Sequence, residues 1–442
     1  MYIPHTPEEI SRMLEHCGMT SKDDLFADVP AALRMQREYD LPEGLSEQEV
    51  AEYFEELAGR NLAYRTILAG AGYYDHYAPA VIPAILSRSE FATSYTPYQP
   101  EISQGTLQYI FEYQTMMTRL TGLEVSNASM YDAATAAAEA MMMCVAAGRK
   151  KNRVLVSATV SPIIRNVLKT YARYHGVDLQ EIAEKDGVTD LDALREALAG
   201  SKDIAGVLLP QPNFYGIVED FSGVADAIHE AKALMAMLCP ASTLAVLRTP
   251  GEWGADIACG DAQSLGIPLS YGGPYLGYMC TTKALMRKMP GRIVGATNDA
   301  RGQRCFVLTL QAREQHIRRN KATSNICSNQ GLMALFVTIY MSLMGPEGLR
   351  EVNQRGHDGA AFLASELEKA GVKRVYPNAP FLNEFLVDIT GVDYTKLKAI
   401  CSVNSILPGV LVDDNRLLLA VTERQNRQDL ELFVKLVKDA KK

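Results

Sequence analysis

From Met130 onward the chain alternates helix-like and strand-like stretches, and this alternation is what most restricts its fold. A helix spanning Asp132–Ala147 and stopped by Gly148 runs into the apolar stretch Arg153–Ser157. Further strand candidates follow at Leu179–Ala183, Ile204–Leu209 and Leu244–Leu247, with helical patterns between them. Strands separated by helices of about 10–15 residues do not pair as hairpins. They build a mostly parallel sheet covered by helices on both faces, the α/β class. With 442 residues, 48% of them hydrophobic, the chain is long enough to bury a large core.

Different patterns flank this region. Thr6-Pro7-Glu8-Glu9 supplies an N-cap, a first-turn proline and a capping-box glutamate, and Ser46 with Glu49 repeats the device. Both helices precede any strand pattern, so residues 1–65 are expected to form a helical arm of the kind that wraps a partner. Residues 66–346 are expected to form the large α/β domain. The apolar stretch Leu332–Met344 is closed by Gly331 and by Gly345-Pro346. It is shorter than the ~20 residues a membrane-spanning helix needs and reads as a core helix. Beyond it a long amphipathic helix leads to strand candidates at Arg374–Pro377, Glu384–Ile389 and Arg416–Val421, so residues 347–442 are expected to form a small α+β domain.

The formal charge of −8 and a pI near 5.5 disfavour binding to nucleic acid or to an anionic membrane, since both need a dominant positive field. The eight cysteines contain no Cys-x-x-Cys pair, and no histidine cluster has metal-ligand spacing, so no metal site is expected. The cysteines read as buried thiols in a reducing compartment. The start, MYIPHTPEEISRM, lacks the basic and apolar regions of a secretory signal, and a cytoplasmic location is expected.

Three motifs carry candidate chemistry. In TPYQPEISQG (96–105), Pro97 and Pro100 stiffen a stretch that presents phenol and amide groups, though a rigid connector with surface tyrosines explains it equally well. Ser270-Tyr271-Gly272-Gly273-Pro274-Tyr275 fits either a close backbone approach to a ligand or a tight turn between strands. The stretch 301–325 gathers Arg301, Arg304, Arg313, Arg318, Arg319 and Lys321 around His316. Arginine forks suit carboxylates, but a solvated helix face accounts for most such runs.

These strings, together with GYYDHYAPAVI (72–82), MYDAATAAAEAM (130–141), SYGGPYLGYM and KMPGRIVGATNDARGQR, resemble the glycine dehydrogenase (decarboxylating) family, the P-protein of the glycine cleavage system, over nearly the whole chain. That family works either as one long chain with two homologous halves or as two separate subunits, and this chain is similar to the N-terminal half. The resemblance implies the pyridoxal-phosphate (PLP)-dependent aminotransferase-like fold. Its parts are a large domain with a mostly parallel seven-stranded sheet, a small α+β C-terminal domain and an N-terminal helical arm.

A PLP enzyme needs a lysine to hold the cofactor and an acid to protonate its pyridine nitrogen. No lysine occurs from Ala233 to Thr282 and no acid from Ala233 to Thr249, where the fold places these groups. Counting from the Ala255-Asp256-Ile257 step, the position matching the family's lysine is Ser264. Asp132 would moreover put a carboxylate at the helix terminus that receives the cofactor phosphate in this fold. The expectation is a subunit with no catalytic residue of its own assigned and no cofactor in its own pocket. PLP would be bound mainly by a lysine-bearing subunit 2, in an α2β2 assembly. Such an enzyme takes glycine, releases CO₂ and passes the aminomethyl group to the lipoyl arm of H-protein. Tyr95, Tyr98, Gln99, Glu101, His316 and Arg318 are the residues expected to reach across the subunit interface. Two alternatives remain at this point: a free-standing PLP enzyme using Lys283 or Lys288, and a scaffold or regulatory protein that keeps only the fold.

Overall fold

The computed structural model describes residues 4–35, 37–322, 324, 326 and 328–441. Thr323, Asn325 and Cys327, at the end of the basic stretch, lie outside the described residues. Internal contacts divide the chain into two units, Met1–Leu62 and Ala63–Lys442.

In the first unit the expected caps form. Helix α1 (Pro7–His16) begins with the Thr6 hydroxyl accepting from the Glu9 N–H while Glu9 accepts from the Thr6 N–H; helix α2 (Glu47–Gly59) repeats this with Ser46 and Glu49. Neither helix buries a residue. Large apolar side chains, among them Phe26, Leu33, Tyr39, Leu41 and Phe54, face outward.

The second unit is organised by a seven-stranded sheet. Its strands are β1 (Val125–Ser126), β2 (Arg153–Ser157), β3 (Asp178–Ile182), β4 (Ile204–Pro210), β5 (Leu234–Leu238), β6 (Ile257–Asp261) and β7 (Gly277–Thr281), ordered β1-β7-β6-β5-β4-β2-β3. Strands β3, β2, β4, β5 and β6 run parallel, and β7 is antiparallel to its neighbours. Every residue of β4 is buried, as a strand covered on both faces requires.

Alternate residues feed two cores, because successive side chains of a strand point to opposite faces. Leu155, Val207, Leu209, Met235 and Met237 pack with Tyr113 and Met117 of α3 (Gln104–Thr121). Val154, Val156, Leu208, Ala236 and Leu238 pack with Ala136, Ala140 and Met141 of α4 (Ala133–Ala147) and Leu168 of α5 (Pro162–His175).

Two strand expectations are corrected. Leu244–Leu247 belongs to a 3₁₀ turn, in which the Val246 and Leu247 N–H groups both return to the Thr243 carbonyl; the strand at this point of the sheet is Leu234–Leu238. Arg374–Pro377 contributes a single bridge, from Arg374 to Val387. Five of the described cysteines are buried, but Cys17 is exposed and Cys305 partly so.

Helix α6 (Gly331–Lys369) is broken at Gly345, whose φ of 60° and ψ of −177° are not helical and which precedes Pro346. Its length and apolarity would span a membrane on paper, but Leu335, Val337 and Tyr340 of its first segment are buried in protein. A hairpin, β8 (Ile293–Asn298) with β9 (Arg304–Thr309), precedes α6 in the chain. After it, β10 (Glu384–Asp388), β11 (Val410–Asp413) and β12 (Arg416–Ala420) form an antiparallel sheet ordered β10-β12-β11, whose core includes Phe385, Leu417 and Phe433.

The end of β6 lies so close to that of β5 that only glycine fits at position 260, where a Cβ would overlap the Cys239 carbonyl. Replacing Gly260 with Ala should therefore destabilise the fold by about 1–3 kcal/mol. Thermal unfolding checks this, and an unchanged midpoint would show that the two strand ends can separate freely.

Candidate functional site

The parallel strands β4, β5 and β6 end together, and beyond their C-terminal ends lies a cavity of about 330 Å³. Open α/β sheets place ligands at this position. Pro210, Leu238, Cys239, Gly260 and Asp261 form its floor, Ala133 and Ala134 open α4 beside it, and the loop Gly70–Tyr74 and Glu384 of β10 close it. Among the described residues no lysine, arginine or histidine lines it.

Helix N-termini expose unpaired N–H groups and attract anions. Here the protein's own carboxylates satisfy them. Asp132 caps α4 and accepts from the Thr135 N–H at 2.8 Å. Asp261 accepts from the Ala133 N–H at 3.1 Å and from the Gln263 N–H at 2.8 Å. Burial pushes the Asp261 carboxyl up to about 6, against the lowering effect of those N–H donors. A phosphate entering here would meet the carboxylate of Asp261 in the cavity, with that of Asp132 capping the same helix, and among the described residues no cation. Cys239, at the end of β5, is a fully buried thiol pushed well above its ordinary value by desolvation and is no substitute for an acid. The donor set does not fit a phosphorylated pyridine aldehyde.

Ser264 is buried and accepts from the Ser242 N–H at 3.1 Å; it does not line the cavity. Lys283 is an exposed partner of Glu124, and Lys288 donates to the Ala146 carbonyl, so neither reaches the cavity. The counting argument passed over Gln263. Its amide takes the Tyr74 N–H and gives to the Tyr74 carbonyl, both at 2.8 Å, gripping the closing loop. Glu384, also missed, accepts from the Ala71 N–H and, at 2.9 Å, from the Tyr74 hydroxyl. Nothing local in the sequence signals either partnership.

The other expected residues lie away from the cavity, and the structure brings two of them together. Tyr98 and His316 pack edge to face with ring centroids 6.3 Å apart. Gln99 and Glu101 are exposed on the same segment as Tyr98, while Tyr95 lies near Ser328, its hydroxyl 3.4 Å from that of the serine. Arg318 lines a separate basic cleft with Arg287, Arg313 and Lys321. Sequence reasoning missed the groups that complete the Tyr98 cluster. Arg292 donates to the Tyr98 hydroxyl at 3.0 Å, and Glu314 lies 3.9 Å from Arg292 and 3.7 Å from His316. The segment is anchored from behind, because Gln104 donates to the carbonyls of Pro100 and Phe306 and accepts from the Phe306 N–H.

The sheet order, the antiparallel β7 and the cavity beside the N-terminus of α4 define the PLP-dependent aminotransferase-like class. A Lactobacillus brevis glutamate decarboxylase superposes with a TM-score of 0.69 over 93% of this chain and 96% of its own, at 12% identity, which speaks for the fold alone. Closer relationships name the family. A structure of glycine decarboxylase (P-protein) of the glycine cleavage system in inhibitor-bound form matches with a TM-score of 0.91, at 41% identity over 100% of both chains. The probable glycine dehydrogenase (decarboxylating) subunit 1 of Moorella thermoacetica is 48% identical over 440 residues, 98% of each chain. The family model for the glycine cleavage system P-protein matches residues 1–437, and the chain belongs to that family.

Burial lifts Glu384 from 4.5 to about 7, so the folded chain holds this proton more tightly than the unfolded chain. The resulting stability is present at low pH and is lost as pH rises from about 4.5 to about 7. Glu384→Gln can keep both hydrogen bonds, since its amide can donate to the tyrosine oxygen. Thermal midpoints measured across this window should fall less steeply for the variant than for the wild type, and equal slopes would refute the assignment.

Proposed function

We propose that this chain is the subunit of a heteromeric glycine decarboxylase that lacks the cofactor-holding lysine, completing an active site whose cofactor is held mainly by a lysine-bearing subunit 2. The observation that carries this reading is the carboxylate-closed cavity at the position where the fold would seat the cofactor. Subunit-1 relatives match from end to end, which supports a separate partner chain, and we read the assembly as α2β2. The outward apolar side chains of Met1–Leu62 support a subunit contact as well, because monomers seldom expose so many together. Free buried thiols suit a cytoplasmic setting.

In the assembled enzyme PLP supplies the electron sink for loss of CO₂ from glycine, and the lipoyl arm of H-protein receives the aminomethyl group. This chain contributes position. Tyr98 and Gln99 are presented by a segment that Pro97, Pro100 and Gln104 hold still, and their phenol and amide can bond a small zwitterion without adding net charge. Of the other expected residues, His316 packs against Tyr98 and Glu101 is exposed on the same segment, while Tyr95 and Arg318 lie apart from it.

Two experiments test this reading. Borohydride treatment of the purified chain with PLP should fix no stoichiometric cofactor, whereas the co-expressed pair should retain it on the partner. Stoichiometric labelling of this chain alone would sink the reading. In the assembled enzyme, Tyr98→Phe should lower glycine decarboxylation roughly 5- to 150-fold, the equivalent of one positioning hydrogen bond, with subunit association and PLP content unchanged. Normal kinetics would remove Tyr98 from the site.

A further inference from the structure

The Tyr98 cluster contains a group that the proposed role of Tyr98 does not by itself explain. Arg292 is 5% exposed, an unusual place for a guanidinium. Its Nε–H has no hydrogen-bond partner among the described residues, and neither does Oε1 of Glu314. The 3.9 Å between Arg292 and Glu314 gives charge balance without a hydrogen bond. Among the described residues the Arg292 side chain donates to the Tyr98 hydroxyl at 3.0 Å, and its guanidinium carbon stands 5.2 Å from the centre of the Tyr98 ring. A buried cation bonded to a half-exposed phenol, and balanced at a distance, suits a group that aims another.

We propose that Arg292 is a positioning residue that acts through Tyr98, and this rests on the reading of Tyr98 given above. A phenol has one O–H to donate and lone pairs to accept. The guanidinium N–H occupies a lone pair, so the phenolic hydrogen is directed away from Arg292 and left to donate outward to an acceptor such as a carboxylate. The cation near the ring fixes the ring's place as well. Glu314, between Arg292 and His316 and 3.7 Å from the imidazole, compensates the charge without competing for the phenol.

A double-mutant cycle in the assembled enzyme tests this, using Arg292→Lys, Tyr98→Phe and the double variant, with glycine decarboxylation, subunit association and PLP content measured for each. Lysine keeps the charge but loses the planar fork. Arg292→Lys is expected to lower turnover roughly 3- to 20-fold with association and PLP content unchanged. In the Tyr98→Phe background the same change should cost less than about 2-fold, because groups acting as one unit are not additive. An equal loss in both backgrounds, or wild-type turnover in Arg292→Lys, would overturn the proposal. So would weakened association with normal specific activity in the complex that remains. Wild-type kinetics in Tyr98→Phe would instead remove the underlying reading of Tyr98, a distinct result.

Discussion

The closure of the N-terminus of α4 by Asp132 and Asp261 is the contact on which the character of this chain turns. A helix terminus that collects N–H groups next to the ends of parallel strands is an anion seat by construction. Filling it with side chains satisfies donors that would otherwise be unpaired and buried, at the cost of desolvating a carboxyl, as the raised affinity of Asp261 for its proton records. The same contact adds to the acidity of a cavity that no cation lines among the described residues. A fold whose relatives include PLP enzymes is thereby self-sufficient at the position where they would need a phosphate.

Away from that closed seat, the Tyr98 cluster reaches the surface. Tyr98 lies on a segment whose rigidity comes from two prolines and from the three hydrogen bonds of Gln104. Two of those bonds, both to Phe306, tie the segment to β9, which is itself paired with β8, the strand that follows Arg292. Tyrosine and arginine therefore come from parts of the chain 194 positions apart and share one structural support.

Features set by local pattern were legible in the sequence. The Thr6 and Ser46 caps and the strand at Ile204–Leu209 follow from spacing and apolarity, and they formed as read. Leu244–Leu247 failed because an apolar run of four does not distinguish a strand from a turn packed beneath a sheet; the neighbouring Leu234–Leu238 won the place through its pairing with Gly206–Pro210. The site was harder to read. Asp261 meets Ala133 across 128 positions, and Glu384 meets Tyr74 across 310, so no window of sequence holds both partners. Resemblance could direct attention to a position near Ser264, but it could not show that the adjacent Gln263 holds a loop.

The grip on Gly70–Tyr74 has a mechanical meaning. Gln263 ties the loop to the turn after β6, while Glu384 ties it to β10 in the three-stranded sheet. Each bond contributes on the order of 1 kcal/mol, and separating the two sheets would break several together while exposing buried polar groups. Enzymes that close around a substrate commonly do so by moving one lobe against another. In this chain the two sheets are bolted across the very cleft where such a hinge would open, and the loop Gly70–Tyr74 is the bolt.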